Sequence, residues 1–207
     1  MKSTTLSLAS TLACIADFYD GCKVGCEGFE GYRKSADLTK FIRCAGELEN
    51  GQFINPRHTI FVDLGCADGR VNLLMSYFVK KSIGIEIDPD ILGEYQSHAA
   101  ELGCRLTENQ LTVPPANISL FAGNSLADET FQRIRAHTGV SFKDVDIFYT
   151  YITLHDAFAA KIAAQAKVGS LYLVYGFNKI LPRYDGLELL IADVASQGIA
   201  TLYQKTA

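Results

Sequence analysis

No stretch of the 207 residues approaches the roughly 20 consecutive apolar positions that span a bilayer, so no membrane partner is expected. The chain also lacks a cluster of basic residues. Nineteen Lys and Arg stand against 23 Asp and Glu, a net charge of −4. Affinity for nucleic acid comes from clustered cations that neutralise phosphates, and on this ground no nucleic-acid partner is expected. The six cysteines are too sparse for a disulfide scaffold in a chain of this length. Three residues separate Cys22 from Cys26, the other spacings are loose and no histidine joins them, so no metal site is expected. There is no internal repeat and no low-complexity tract. What is present is a hydrophobic fraction of 48%, enough to exclude a disordered chain. The length suits one α/β domain with an elaboration.

The apolar stretch from Thr4 to Ala16 is interrupted by Thr5, Ser7, Ser10 and Thr11, which argues against a secretory signal. Leu8, Leu12, Ile15 and Tyr19 recur instead at helical spacing, so a helix and a cytoplasmic protein are expected. A glycine-rich stretch, Gly21 to Gly31, precedes a second helix from about Ser35 to Leu48, with Leu38, Phe41, Ile42 and Ala45 as its stripe. Residues 1–57 are therefore predicted as a helical cap.

From Thr59 the rhythm becomes strand, turn, helix. Strands are predicted at 59–62, 82–87, 118–122, 146–151 and 171–175, with helices from Arg70 to Phe78 and from Pro89 to near Gly103. Asp88 is the N-cap of the second of these, and Pro89 its first residue. Leu106 to Asn117 reads as a surface loop. Two final strands, 187–194 and 199–204, are joined so closely that one must run antiparallel. The alternation predicts a doubly wound, mostly parallel sheet over 58–207.

The informative segment is Val62-Asp63-Leu64-Gly65-Cys66-Ala67-Asp68-Gly69-Arg70, a glycine loop between a strand and a helix. Such glycines let backbone turn sharply and approach a ligand. Glu86 closes the next strand, 21 residues after Gly65, where a carboxylate can accept hydrogen bonds from ribose hydroxyls. Gly65 and Gly69 are four apart, whereas the dinucleotide fingerprint spans five. Carboxylates at Asp63 and Asp68 would repel a pyrophosphate and attract a ligand carrying an ammonium and a sulfonium. The loop therefore favours a cationic cofactor over a nicotinamide dinucleotide.

Asp63-Leu64-Gly65-Cys66-Ala67-Asp68-Gly69 resembles motif I of class I S-adenosylmethionine-dependent methyltransferases, and Gly84-Ile85-Glu86-Ile87-Asp88 resembles their acidic second motif. Phe121-Ala122-Gly123-Asn124-Ser125 is similar to the third, at the adenine, and Asp146 to Tyr151 to the fourth, at the substrate. The resemblance implies a Rossmann-like sheet of seven strands, order 3-2-1-4-5-7-6, with strand 7 antiparallel, and S-adenosylmethionine as cofactor. Ala67 departs from the pattern, which usually has glycine there. The cofactor residues implied are Asp63, Gly65, Cys66, Ala67, Asp68, Gly69, Glu86, Ile87, Asn124 and Ser125, with Ile87 against the adenine. Gly31-Tyr32-Arg33-Lys34-Ser35 is similar to a pre-motif of non-SET lysine methyltransferases, which adds Tyr32. Gly176-Phe177-Asn178 after the fifth strand is compatible with that likeness.

The activity implied is in-line methyl transfer to an amine, including a protein lysine, or to a small-molecule acceptor. Tyr32, Tyr149 and Tyr151 are expected to line the acceptor mouth, and His155 beside Asp156 is a candidate general base. The rival class is a non-catalytic module that binds the cofactor.

Overall fold

The computed structural model describes residues 2–27, 34–176 and 181–206. Seven strands form one sheet: β1 (Ile60–Asp63), β2 (Lys81–Glu86), β3 (Ile118–Ala122), β4 (Ile147–Tyr151), β5 (Leu171–Tyr175), β6 (Leu187–Ile191) and β7 (Ala200–Lys205). Their order is β3-β2-β1-β4-β5-β7-β6. β7 lies antiparallel between β5 and β6, and the remaining pairings are parallel, as expected.

The helices are α1 (Lys2–Asp20), α2 (Leu38–Asn50), α3 (Arg70–Met75), α4 (Pro89–Glu108), α5 (Asp128–Thr138) and α6 (His155–Gln165). The Asp37 side chain caps α2 by accepting from Lys40 N at 2.9 Å, so the helix starts at Leu38 rather than near Ser35. Asp88 caps α4 and Pro89 opens it, as their chemistry dictates. α4 runs past Gly103 to Glu108. Leu102 and Leu106 on its last turns are fully buried, and each such burial contributes about 2 kcal/mol, more than the ~1 kcal/mol a mid-helix glycine costs. The loop predicted from Leu106 is correspondingly shorter.

Two cores flank the sheet. On one face α1 and α2 pack through Ile15, Leu38, Phe41 and Leu48 against Phe61, Tyr149 and Leu173 of the strands, so the N-terminal helices share a core with the sheet. On the other face Phe131, Phe158 and Ile162 of α5 and α6 meet Val62, Ile85 and Phe148. The order of strand addition reverses between the parallel strands β1 and β4, with β2 and β3 laid down on one side and β5 on the other. That reversal leaves a crevice at the carboxyl ends of the parallel strands, where ligands of such sheets bind.

Candidate cofactor and active site

A cleft of ≈ 280 Å³ opens at this crevice. The ends of four parallel strands contribute to it: Gly65 and Ala67 after β1, Glu86 and Ile87 at β2, Asn124 and Ser125 after β3, and Tyr151 to Leu154 at β4.

The glycine loop is held by backbone. Leu64 N donates to Tyr149 O at 2.9 Å, Cys66 N to Ile85 O at 2.9 Å, and Gly69 N to Cys66 O at 2.8 Å. Gly65 and Gly69 serve different purposes. A Cβ on Gly65 would meet nothing within 4 Å, and this residue lines the cleft. Gly69 has φ +74°, and a Cβ there would come within 2.7 Å of Tyr95 and 2.8 Å of Leu120. Gly69 thus serves the packing of the turn and is not on the cleft. Ala67 sits in the left-handed region at φ 48°, a conformation that costs a non-glycine residue about 1–2 kcal/mol. It lines the cleft.

Glu86 is buried and rigidly oriented. Its Oε2 accepts from Ala67 N at 2.9 Å and its Oε1 from Asp88 N at 3.1 Å. Next to it Ile87 is 67% exposed, an uncovered apolar surface beside a carboxylate. Ser125 donates its hydroxyl to Leu64 O at 2.8 Å, tying the end of β3 to the loop. Asn124 accepts from Leu126 N at 2.9 Å through Oδ1, a turn-capping bond.

Loop charge is arranged differently from the expectation that Asp63 and Asp68 jointly face a cation. The Asp63 carboxyl is buried and its pKa is pushed up to about 8 by desolvation, with the Glu86 and Asp68 charges adding to the rise and the bond from Gly65 N opposing it. Asp68 is turned away from the cleft into an ion pair with Arg70, whose Nε and Nη2 both lie 2.9 Å from the carboxylate. Glu86 is the carboxylate that lines the cleft among the described residues. Cys66 is buried beneath the loop, and burial pushes its thiol well up.

At the acceptor end the structure separates the aromatic candidates. Tyr151 is half-buried and lines the cleft. Tyr149 does not: it pairs in register with Asp63 and lies in the core, 5.3 Å from the Phe41 ring, because α2 covers that face of β4. His155 is likewise away from the cleft. Its Nδ1 meets Tyr184 Oη at 2.8 Å and Asp156 at 3.1 Å, which anchors the segment before β6 to α6. Tyr32, and with it most of the proposed pre-motif, lies outside the described residues, as do Phe177 and Asn178.

Sequence reasoning missed Lys34, which lines the cleft, and the strained link after β4, where Ile152 (φ 34°) and Leu154 (φ 54°) are both left-handed. A β-branched residue at positive φ is rare, and such strain clusters at functional sites. No local signal in Tyr-Ile-Thr-Leu announces it.

No protein-family model and no curated protein matches the sequence. Solved structures do match the fold. An RNA methyltransferase from Salinibacter ruber, crystallised with S-adenosylhomocysteine, is 17% identical over 84% of this chain and 93% of its own, with a TM-score of 0.50. The rRNA methyltransferase aviRa from Streptomyces viridochromogenes is 12% identical over 94% and 91%, with a TM-score of 0.55. The CcbJ methyltransferase from Streptomyces caelestis is 13% identical over 93% and 96%, with a TM-score of 0.51. The fold is the seven-stranded, Rossmann-like fold of class I S-adenosylmethionine-dependent methyltransferases.

Proposed function

We propose that the chain is an S-adenosylmethionine-dependent methyltransferase, a reading carried by the pairing of Glu86 with exposed Ile87 at the cleft beside an open Gly65. The cofactor's parts fit these residues. A carboxylate has about four lone-pair sites, enough to keep its backbone bonds and also accept ribose hydroxyls. Ile87 offers an apolar face to the adenine, with Asn124 and Ser125 at its edge. Gly65 and Ala67, whose backbone lines the cleft, would hold the sugar and methionine portion.

The cofactor supplies a methyl group already activated by its sulfonium. The protein's contribution is then orientation, which alone can lower a barrier by about 7–11 kcal/mol. Tyr151, Leu154 and Phe158 shape the acceptor end and keep water from it. A neutral amine placed in line with the methyl needs no strong base, which agrees with His155 being engaged elsewhere.

The acceptor is an amine, a protein lysine among them, or a small molecule. With Tyr149 in the core, an aromatic cage for a lysine rests on Tyr151 among the described residues. Two of the structural neighbours act on RNA, so RNA stands as a third acceptor class despite the acidic composition. Transfer of labelled methyl from the cofactor into protein, RNA and small-molecule fractions of a lysate tests all three. Cofactor binding without label in any fraction would replace the enzyme reading by a binding module.

A further inference from the structure

Behind the glycine loop, away from the cleft, lies a polar cluster that methyl transfer does not use. Asp68 of the loop meets Glu94 and His98 of α4, which stand one turn apart and so share a helix face. One ligand atom from each of the three lies within 4.8 Å of the others. His98 Nδ1 is 3.4 Å from Asp68 Oδ2.

Asp68 is fully buried, Glu94 and His98 are half-buried, and the cluster is short of partners. Glu94 Oε2 and Tyr19 Oη are inaccessible atoms with no hydrogen-bond partner, and the equally inaccessible His98 Nδ1 has only its 3.4 Å approach to Asp68 in place of a hydrogen bond. Tyr19 is fully buried, its ring is 5.9 Å from that of His98, and the Asp68 charge acts on its phenol. Buried unsatisfied polar atoms are few in native proteins, and each calls for an occupant or a reason. Three around one carboxylate point to an occupant.

Its chemistry follows from the donors. With a neutral imidazole, Asp68 and Glu94 against Arg70 leave the cluster a net charge of −1, so a cation is favoured. Two carboxylate oxygens and one imidazole nitrogen suit a first-row divalent ion such as Mn²⁺, Fe²⁺ or Zn²⁺. Bonds of about 2.2 Å place opposite ligands about 4.4 Å apart, so three ligand atoms within 4.8 Å of one another need only a small closing movement. Arg70 stays bound to Tyr19 O at 2.9 Å and Ser35 Oγ at 3.0 Å while it shares Asp68. Its charge limits the affinity without closing the site.

We propose that Asp68, Glu94 and His98 bind one divalent transition-metal ion, which braces the glycine loop against α4. The proposal is independent of the acceptor and of the cofactor assignment. Mn²⁺ is the probe, since it binds the six thiols poorly, with free ion followed by electron paramagnetic resonance. The expected result is one equivalent bound and a melting temperature raised by about 5–10 °C at a hundredfold excess over Kd. Glu94→Gln and His98→Ala should each weaken uptake at least about tenfold. Glu94→Gln keeps an acceptor for Gly25 N, which Glu94 Oε1 now binds at 3.1 Å, so it remains informative should His98→Ala fail to fold. No uptake at millimolar Mn²⁺, or uptake equal in wild type and folded Glu94→Gln, overturns the proposal. The cluster would then hold water or a proton.

Discussion

Replacing Asp63 by Asn removes a buried carboxyl while keeping an acceptor for Gly65 N, which now bonds Oδ1 at 3.2 Å. Its pKa of about 8 lies well above the ordinary 3.8, so between those values the folded chain keeps a proton that the unfolded chain has lost. The stabilisation from that difference is complete below about pH 4 and disappears as pH rises towards 8. At about 1.4 kcal/mol per pH unit, the full interval corresponds to at most about 6 kcal/mol, and the part between pH 5.5 and 8 to about 3 kcal/mol. Urea denaturation of wild type and Asp63→Asn across pH 5.5–8.5 reads this directly. Wild type should lose stability relative to the variant by about 2–3 kcal/mol over that range. Parallel curves would refute the assignment of a raised pKa to Asp63.

Gly65→Ala should fold normally yet lose S-adenosylmethionine affinity by more than about tenfold in calorimetry, since its methyl group projects into the cleft; Gly69→Ala should instead lower the melting temperature, because its φ is +74° and its Cβ strikes Tyr95. Glu86→Ala should abolish cofactor binding in the same titration, and undiminished affinity would remove the ribose assignment. Arg70→Met leaves Asp68 buried without its partner and should cost about 3–5 kcal/mol in urea denaturation. His155→Ala should retain methyl transfer within a few-fold of wild type, and a loss of a hundredfold or more would return His155 to catalysis.

The strand-helix alternation and the place of the cleft were legible from local signals: short apolar strand runs, the Gly65 to Gly69 loop, Glu86 at a strand end and Asp88-Pro89 opening a helix, whereas the order of the strands came with the motif resemblance. The states of the side chains were not. Tyr149 and Tyr151 lie two apart on one strand, and nothing local says that α2 covers the first and leaves the second at the cleft. Asp63 and Asp68 look equivalent in the sequence, yet burial raises the pKa of one while Arg70 pairs with the other, a difference made by tertiary structure. Lys34, Glu94 and His98 reach their places from distant parts of the chain, so their partners were invisible until the fold brought them together.

Arg70 also has a consequence for how the neighbourhood of the cleft can vary. Its guanidinium binds Tyr19 O and Cys22 O on one side of the 23–34 segment and Ser35 Oγ on the other, at 2.9, 3.3 and 3.0 Å. One side chain, itself rooted beside the glycine loop, therefore fixes both ends of a segment that reaches the cleft at Lys34. Once the ends of a loop are fixed, doubling its length adds only about 0.6 kcal/mol of closure entropy. Changes of chain length between Cys22 and Ser35 thus cost little while the glycine loop keeps its geometry. Under the proposed function, the cleft's edge at Lys34 and the cofactor loop are in that sense separately variable, with the guanidinium as the boundary between them.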